Sequence, residues 1–328
     1  MTNLYWPVYK DLEREVIKLS NQVHFDDNQI SIYSVKISEL LIRCSVEIEA
    51  ISKELFLSSG GIEPTDGNLF FDTECINFIE NKWELSKKKV IISSSNFFFQ
   101  KEENRILTPL YKANKRGESG SDWKKAYQAV KHNRSLNLPK GNLKNLLRAL
   151  AALFLLNIYY KNESYDLGDK NNDNFSKDFS EIFVIKVHTW SGNGIEEDPY
   201  MKKPDFEECT YLTKWTDEIN KKHLEWAKEL NKVLSEIIFS HPGVTKYIND
   251  NLTENGNIKR AEYDAFIKNS DYFKCFDMEK EYGSMINKAS SEATKKYNFD
   301  IKNSIRFEAV LNKNQKIYAD YSSETPNA

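Results

Sequence analysis

Apolar residues recur at helical spacing through the first sixty or so positions. From Pro7 to about Val23 they fall at Val8, Leu12, Val16, Leu19 and Val23, the stripe of an amphipathic helix. A longer stripe, Ile32, Val35, Ile37, Leu40, Leu41, Cys44, Ile48 and Ile51, predicts a buried helix over about 29–57. Asp27 or Asn28 would cap it, and Ser58–Gly61 would end it. A third helix is expected from about Asp72 to Leu85. The texture then changes. Lys87–Gln100, KKKVIISSSNFFFQ, is β-branched and aromatic and reads as a short hairpin or extended arm. Helix returns after Ser121 with DWKKAYQAVKH. Beyond the breaker LPKGN, the run NLKNLLRALAALFLLNIYY is apolar nearly all round, the pattern of a helix at the centre of a bundle.

Residues 161–177 are polar, rich in Asn and Asp and without period, so they mark a boundary. They do not make an EF-hand: Asn174 stands where the loop needs glycine, and no Glu falls at the twelfth position. Next, EIFVIKVHTW alternates as a strand does. A long helix is expected from about Phe206 to Phe239, with Leu212, Trp215, Ile219, Trp226, Leu230, Val233 and Ile237 as its stripe. His223 falls in the gap of that stripe with no metal-binding partner at helical spacing, and reads as a packing residue. Helices follow over about Ile258–Lys268 and Met278–Tyr297, and SIRFEAVLNKNQKIYADY reads as a hairpin around Asn312–Gln315. The pattern predicts a mainly α protein. Residues 1–165 form a helical bundle with a short β-hairpin insertion, and 166–177 form a linker. Residues 178–328 form an α+β region with a long helix and a small antiparallel sheet.

Composition narrows the function classes. With 328 residues, 40% hydrophobic and 29% charged, the chain is that of a soluble globular protein. Its longest apolar run, Leu146–Tyr160, holds Arg148 and Asn157 and falls short of the ~20 residues that span a bilayer, so no membrane role is expected. The opening MTNLYWPVYKDLEREV has no signal-peptide core. Cys44, Cys75, Cys209 and Cys275 lie far apart with no C-x-x-C pair, which argues against a zinc ribbon or disulfide framework and for a reducing cytoplasm. The acidic segment GIEEDPYMKKPDFEE lacks regular ligand spacing and reads as a surface insertion. No metal and no cofactor is expected. The Gly-rich phosphate loops, H-E-x-x-H and G-x-S-x-G are all missing. Net charge is −3, but Lys87–Arg148 carries fifteen Lys/Arg against four Asp/Glu, or +11, leaving −14 for the rest. Such a basic middle suits a polyanion-binding face; equally, its charges can scatter or pair with the acidic remainder.

The chemistry concentrates at the end of the helix that follows Ser121. Trp123, Ala126, Tyr127 and Val130 share an apolar face, and Lys124, Gln128 and His132 form an i, i+4, i+8 row opposite, with Lys125 and Lys131 beside it. An imidazole beside ammonium and guanidinium groups suits phosphodiester chemistry. In that reading His132 moves protons, Arg134 or Lys131 stabilises charge on the phosphate, and Lys124, Lys125, Gln128 and Asn133 hold the nucleic acid. Glu39, Glu47 and Glu49 on the second helix are candidates to orient His132. The plain alternative is a solvated helix end.

DWKKAYQAVKHNRS followed by NLLRALAALFLL resembles the HEPN superfamily, in the variants that read W-x3-Y-[N/Q]-x-[V/I]-K-H-x-R, over about residues 30–160. The resemblance implies a small α-bundle that dimerises and brings two motif copies into one cleft. It also implies, for many members, metal-independent ribonuclease activity in toxin–antitoxin and phage-defence systems. The family motif is Arg, four to six residues, then His, with a polar residue after the Arg. His132 matches the His and Gln128 falls near the polar position. Five residues before His132, however, stands Tyr127 rather than Arg; Lys125 is the one cation at a permitted upstream spacing, and Arg134 follows the His. Two function classes result: an RNA-cleaving effector, dimeric and answering to a regulatory partner, or a non-catalytic helical module that binds nucleic acid or a protein.

Overall fold

The computed structural model describes residues 3–65, 67–190 and 202–315. It is mainly α, and among the described residues no helix is long and apolar enough to cross a membrane. The chain forms two compact units, Met1–Lys214 joined by Glu308–Ala328, and Trp215–Phe307.

The first unit opens with α1 (Tyr5–Ser20), β1 (Phe25–Asp26), α2 (Val35–Ser58) and α3 (Asn77–Trp83), the last preceded by a π-helical turn over Phe71–Ile76. There follow β2 (Val90–Ile92), β3 (Phe97–Phe98), α4 (Glu102–Arg105), β4 (Ile106–Leu107), α5 (Asp122–His132), α6 (Arg134–Asn137) and α7 (Leu143–Lys161). As its all-round apolar pattern requires, α7 is enclosed. From Ala149 to Tyr159 every side chain is buried, and α1, α2 and α5 pack against the helix. Asn142 caps it through Asn145 N at 3.1 Å, and the backbone of residues 30–32 bonds its first turn.

α2 begins later than its stripe suggests. Ser34 is the N-cap, accepting from Ile37 N at 3.1 Å, in place of Asp27 or Asn28. The Asp27 carboxylate instead accepts from Gln100 N at 2.8 Å, Lys101 N at 3.0 Å and Asn104 Nδ2 at 2.7 Å, tying the basic middle to the N-terminal helices.

The strands pair less locally than their spacing suggests. β2 and β3 do not pair with each other as a hairpin. β3 lies parallel to β1, Phe25 opposite Phe97, while β2 pairs antiparallel with β4 and with β6 (Phe183–Ile185). The expected strand over 181–190 is split at Lys186. Its second half, β7 (Val187–His188), joins a four-stranded sheet with β5 (Tyr165–Gly168), β8 (Tyr211–Trp215) and β11 (Phe307–Leu311), in the order β5-β11-β8-β7. Because β6 pairs with β2, residues 166–177 do not separate the compact units; the division falls near 214 and again near 307.

The second unit holds α8 (Asp217–Phe239), α9 (Pro242–Asn251), the antiparallel pair β9 (Thr253–Glu254) and β10 (Asn257–Ile258), α10 (Arg260–Lys268), α11 (Gly283–Tyr297) and α12 (Ile301–Ser304). α8 starts after Thr216, whose hydroxyl accepts from Ile219 N, so Leu212 and Trp215 belong to a strand and not to the long helix. His223 packs between Trp215 and Trp226, with ring centroids 5.2 and 6.0 Å away, and burial lowers its pKa. The terminal hairpin expected around Asn312–Gln315 has only its first strand, β11, within the described residues.

One buried carboxylate fastens α1 to the segment that leads into β6. Glu13 is fully buried and accepts from Tyr9 Oη at 2.9 Å, Glu181 N at 3.0 Å and Ile182 N at 3.3 Å, besides Ser180 Oγ and Lys10 Nζ. Its removal leaves the Glu181 N–H and the Ser180 hydroxyl short of an acceptor and the Lys10 ammonium without its partner, while Tyr9 Oη and Ile182 N keep Ser180 Oγ. Glu13→Ala should therefore cost about 3 kcal/mol of unfolding free energy in denaturant melts; a loss within about 0.5 kcal/mol would show that water replaces the carboxylate.

Candidate functional site

α5 ends at His132. Asn133 leaves the helical region at φ −150°, ψ 80°, and its side chain accepts from Leu136 N at 3.3 Å and Ser135 Oγ at 3.0 Å, so it caps α6. Arg134 thus opens a new helical turn directly after the imidazole. Residues Lys131 to Leu136 are all exposed, and among the described residues neither the His132 nor the Arg134 side chain has a hydrogen bond or ion pair. The two residues are free to meet a ligand, and no side chain of the same chain orients the imidazole. Glu49 does not reach it either. Glu49 lies instead by Tyr127, whose hydroxyl burial pushes up and which accepts from Lys131 Nζ at 3.1 Å. That bond raises Lys131 above its ordinary value. Lys131 therefore faces back along α5 toward Tyr127. Glu39 is exposed and Glu47 is half-buried.

The predicted apolar face is as expected, with Trp123, Ala126, Tyr127 and Val130 buried. The predicted polar row is not. Lys124 is buried, its ammonium 3.1 Å from Asp72 Oδ2 and 3.0 Å from the Ala113 carbonyl, with the Lys115 carbonyl closing the cage. Arg116 takes the other side of Asp72, Nη2 at 2.9 Å from Oδ1, and lies 4.1 Å over the Phe70 ring. Burial pushes the Asp72 carboxyl up, but Arg116, the Thr73 amide and Lys124 more than offset this and hold it below its ordinary value. Burial also lowers Lys124. Lys124 is thus a structural ion-pair residue that fastens α5 to the turn before α3, and it is withdrawn from the nucleic-acid-binding set.

What remains is a groove of about 630 Å³ along α5 and the start of α7. Lys125, Gln128, Lys140, Asn142, Lys144 and Asn145 line it, together with the caged Lys124 and the carboxylates Glu118 and Asp122. Asp122 holds Lys125 at 3.3 Å and Arg148 at 3.2 Å. Lys140 and Lys144, by contrast, have no ion pair among the described residues. Sequence reading missed these two because one lies in the LPKGN breaker and the other opens an apolar helix. Their signal was the basic run itself.

A second cluster forms where spacing gave no hint of one. His188 at the end of β7 is fully buried between the rings of Trp190 and Phe206, with centroids at 5.1 and 5.0 Å. Among the described residues neither ring nitrogen has a hydrogen-bond partner, nor does Asp205 Oδ1. Oδ1 stands 3.9 Å from Nδ1, beyond hydrogen-bond reach. Cys209 Sγ completes a group whose ligand atoms lie within 4.8 Å of one another. The sheet brings together these three residues of metal-binding type, which lie apart in sequence. Burial lowers the His188 pKa, with Asp205 pulling the other way, and burial pushes the Cys209 thiol up to about 12. Asn312 braces the turn, its Nδ2 donating to the carbonyls of Phe206 at 2.7 Å and Cys209 at 3.0 Å.

Comparison of the chain with family models, curated proteins and solved structures finds no match.

Two measurements separate structural cations from surface ones. Lys124→Ala should cost about 3 kcal/mol of stability, whereas Lys125→Ala, which breaks a half-exposed pair, should cost below about 1 kcal/mol; equal losses would contradict the caged geometry. Because the folded Asp72 carboxyl lies below its unfolded value, its contribution is complete above about pH 4 and is lost as pH falls through the folded value. Thermal melts of Asp72→Asn should accordingly lose the part of the acid-induced drop in melting temperature that wild type shows below that pH.

Proposed function

We propose that the α5–α7 groove binds the phosphate backbone of RNA. The observation that carries this reading is the state of its cations: among the described residues Lys140 and Lys144 line the groove without an ion pair, and Arg134 stands exposed nearby in sequence. A cation that has no internal partner keeps its full attraction for phosphate, and each phosphate neutralised releases a counterion. Gln128, Asn142 and Asn145 offer donors and acceptors to sugar or base edges. The resemblance to HEPN bundles supplies RNA as the class of polyanion. Of the residues expected to hold nucleic acid, Lys125, Gln128 and Asn133 stay in the set and Lys124 leaves it.

A second reading makes the same surface a metal-independent ribonuclease, and one observation favours it. α5 ends at His132, so Arg134 follows the imidazole at a chain turn, and both are exposed and unpartnered. Attack by a 2′-OH on its neighbouring phosphate needs a base, an acid and a cation. A single His132 has neither an orienting partner nor a second acid. Two copies in a homodimer would supply them, and the remaining residues would then restrain or trigger the site in a bacterial defence or toxin role.

Fluorescence anisotropy with a labelled single-stranded RNA tests the first reading. Lys140→Ala with Lys144→Ala should weaken binding and lower the salt slope by roughly 0.7 for each phosphate that is no longer neutralised. Unchanged affinity and slope would remove the reading. For the second, total RNA is incubated in EDTA with wild type and His132→Ala; cleavage by wild type alone supports catalysis, and cleavage by neither leaves binding as the function.

A further inference from the structure

His188, Asp205 and Cys209 come from two neighbouring pieces of chain. β7 runs parallel to β8, with His188 beside Leu212, and Asp205 and Cys209 flank the helical turn Phe206–Glu208 that leads into β8. Buried polar groups in folded proteins are nearly always hydrogen-bonded, so an imidazole buried with both nitrogens idle calls for an explanation. The carboxylate beside it repeats the pattern: Lys186 holds Asp205 Oδ2 at 3.5 Å, while Oδ1, turned to His188, is buried and idle.

We propose that His188, Asp205 and Cys209 form a binding site for a zinc-class transition-metal ion, with one coordination position left for water or another small ligand.

The ligand set is one nitrogen, one oxygen and one sulfur, which suits zinc better than the oxygen-seeking magnesium or calcium. Two ligands at zinc bond lengths of about 2.0–2.1 Å and the tetrahedral angle sit roughly 3.3 Å apart. The observed 3.9 Å between Nδ1 and Oδ1 needs only a small closure. Three protein ligands leave the fourth position open. The thiol donates to the Asp205 carbonyl at 3.2 Å, and that proton leaves when the metal arrives. Thiolate, carboxylate and a divalent ion then sum to zero charge. Lys186 and the buried Lys88, whose charges act on Cys209, then meet no net cation. Asn312 holds both ends of the turn, and Trp190 and Phe206 wall the ring with apolar surface, so the ligands are supported from behind. These observations are independent of the α5–α7 groove.

The test uses the full-length chain stripped with a chelator. It is titrated with Zn²⁺ against a chromophoric competitor and, separately, with Co²⁺. Wild type should take up one equivalent of Zn²⁺ and, with Co²⁺, show a thiolate-to-cobalt charge-transfer band and the intense d–d absorption of a tetrahedral site. Cys209→Ser should remove the charge-transfer band. Asp205→Asn, at a position whose side chain is 40% exposed and whose loss the fold should tolerate, should weaken Zn²⁺ at least about tenfold. Cys275→Ser should change neither, and circular dichroism confirms that each variant is folded. Wild type that takes up no Zn²⁺, or a charge-transfer band that survives Cys209→Ser, overturns the proposal.

Discussion

The constraint on which the first unit depends is that α7 has no exposed face from Ala149 to Tyr159. A helix buried all round cannot stop at one neighbour; it must be covered on every side. α1, α2 and α5 supply most of the cover, and Phe183 of β6 stacks on Phe154 at 5.6 Å. The aromatic residues at its far end extend the same logic. Tyr159 stacks on Trp83 at 5.3 Å and uses its hydroxyl to hold the Asn312 carbonyl at 2.7 Å. Burying side chains of this size at about 25 cal/mol per Å² dominates the favourable side of folding. The helices around α7 are therefore placed by its demand for cover, and the α5 motif takes its position from that demand.

Within this frame, charge has two separate uses. Asp72, Lys124 and Arg116 form a cage that fixes how α5 sits on the turn before α3, and Glu13 does the same for α1 and the chain entering β6. Buried charges of this kind fix geometry more than they add stability, because each ion gives up its hydration to enter the interior. Among the described residues Lys140, Lys144 and Arg134 have no ion pair. Lys124 and Lys125 are adjacent in sequence, yet one is an internal brace and the other a groove residue. Helical rotation between neighbours separates the two roles.

How much could be read from sequence follows from the range of the interactions. The helices were legible because their stripes repeat within a few residues, and α7 was legible as a core helix from composition alone. The apolar face of α5 was legible too, whereas the burial of Lys124 was not. A lysine looks the same in sequence whether its partner is water or an aspartate fifty positions away. Strand pairing failed for a related reason: β2 finds its partners in β4 and β6, and the nearer β3 turns to β1. The beginning of α8 was misplaced because Leu212 and Trp215 happen to continue its stripe, although Thr216 interrupts the helix. In the candidate sites, the end of α5 at His132 was foreseen, and the meeting of His188 with Asp205 and Cys209 was not, since only the sheet brings them together.

The discontinuity of the first unit bears on the order in which the protein can be completed. A ribosome delivers β7, the turn and β8 long before it delivers Asn312, and the whole of Trp215–Phe307 is made in between. Until β11 arrives, the carbonyls of Phe206 and Cys209 lack their amide partner and Tyr159 lacks its acceptor. The long insertion can fold as a unit while it emerges. The cradle around His188 is then closed by residues that follow the insertion. A product that stops before β11 would carry every helix of the bundle and still lack the clamp, so assembly of that site waits for the chain beyond the insertion.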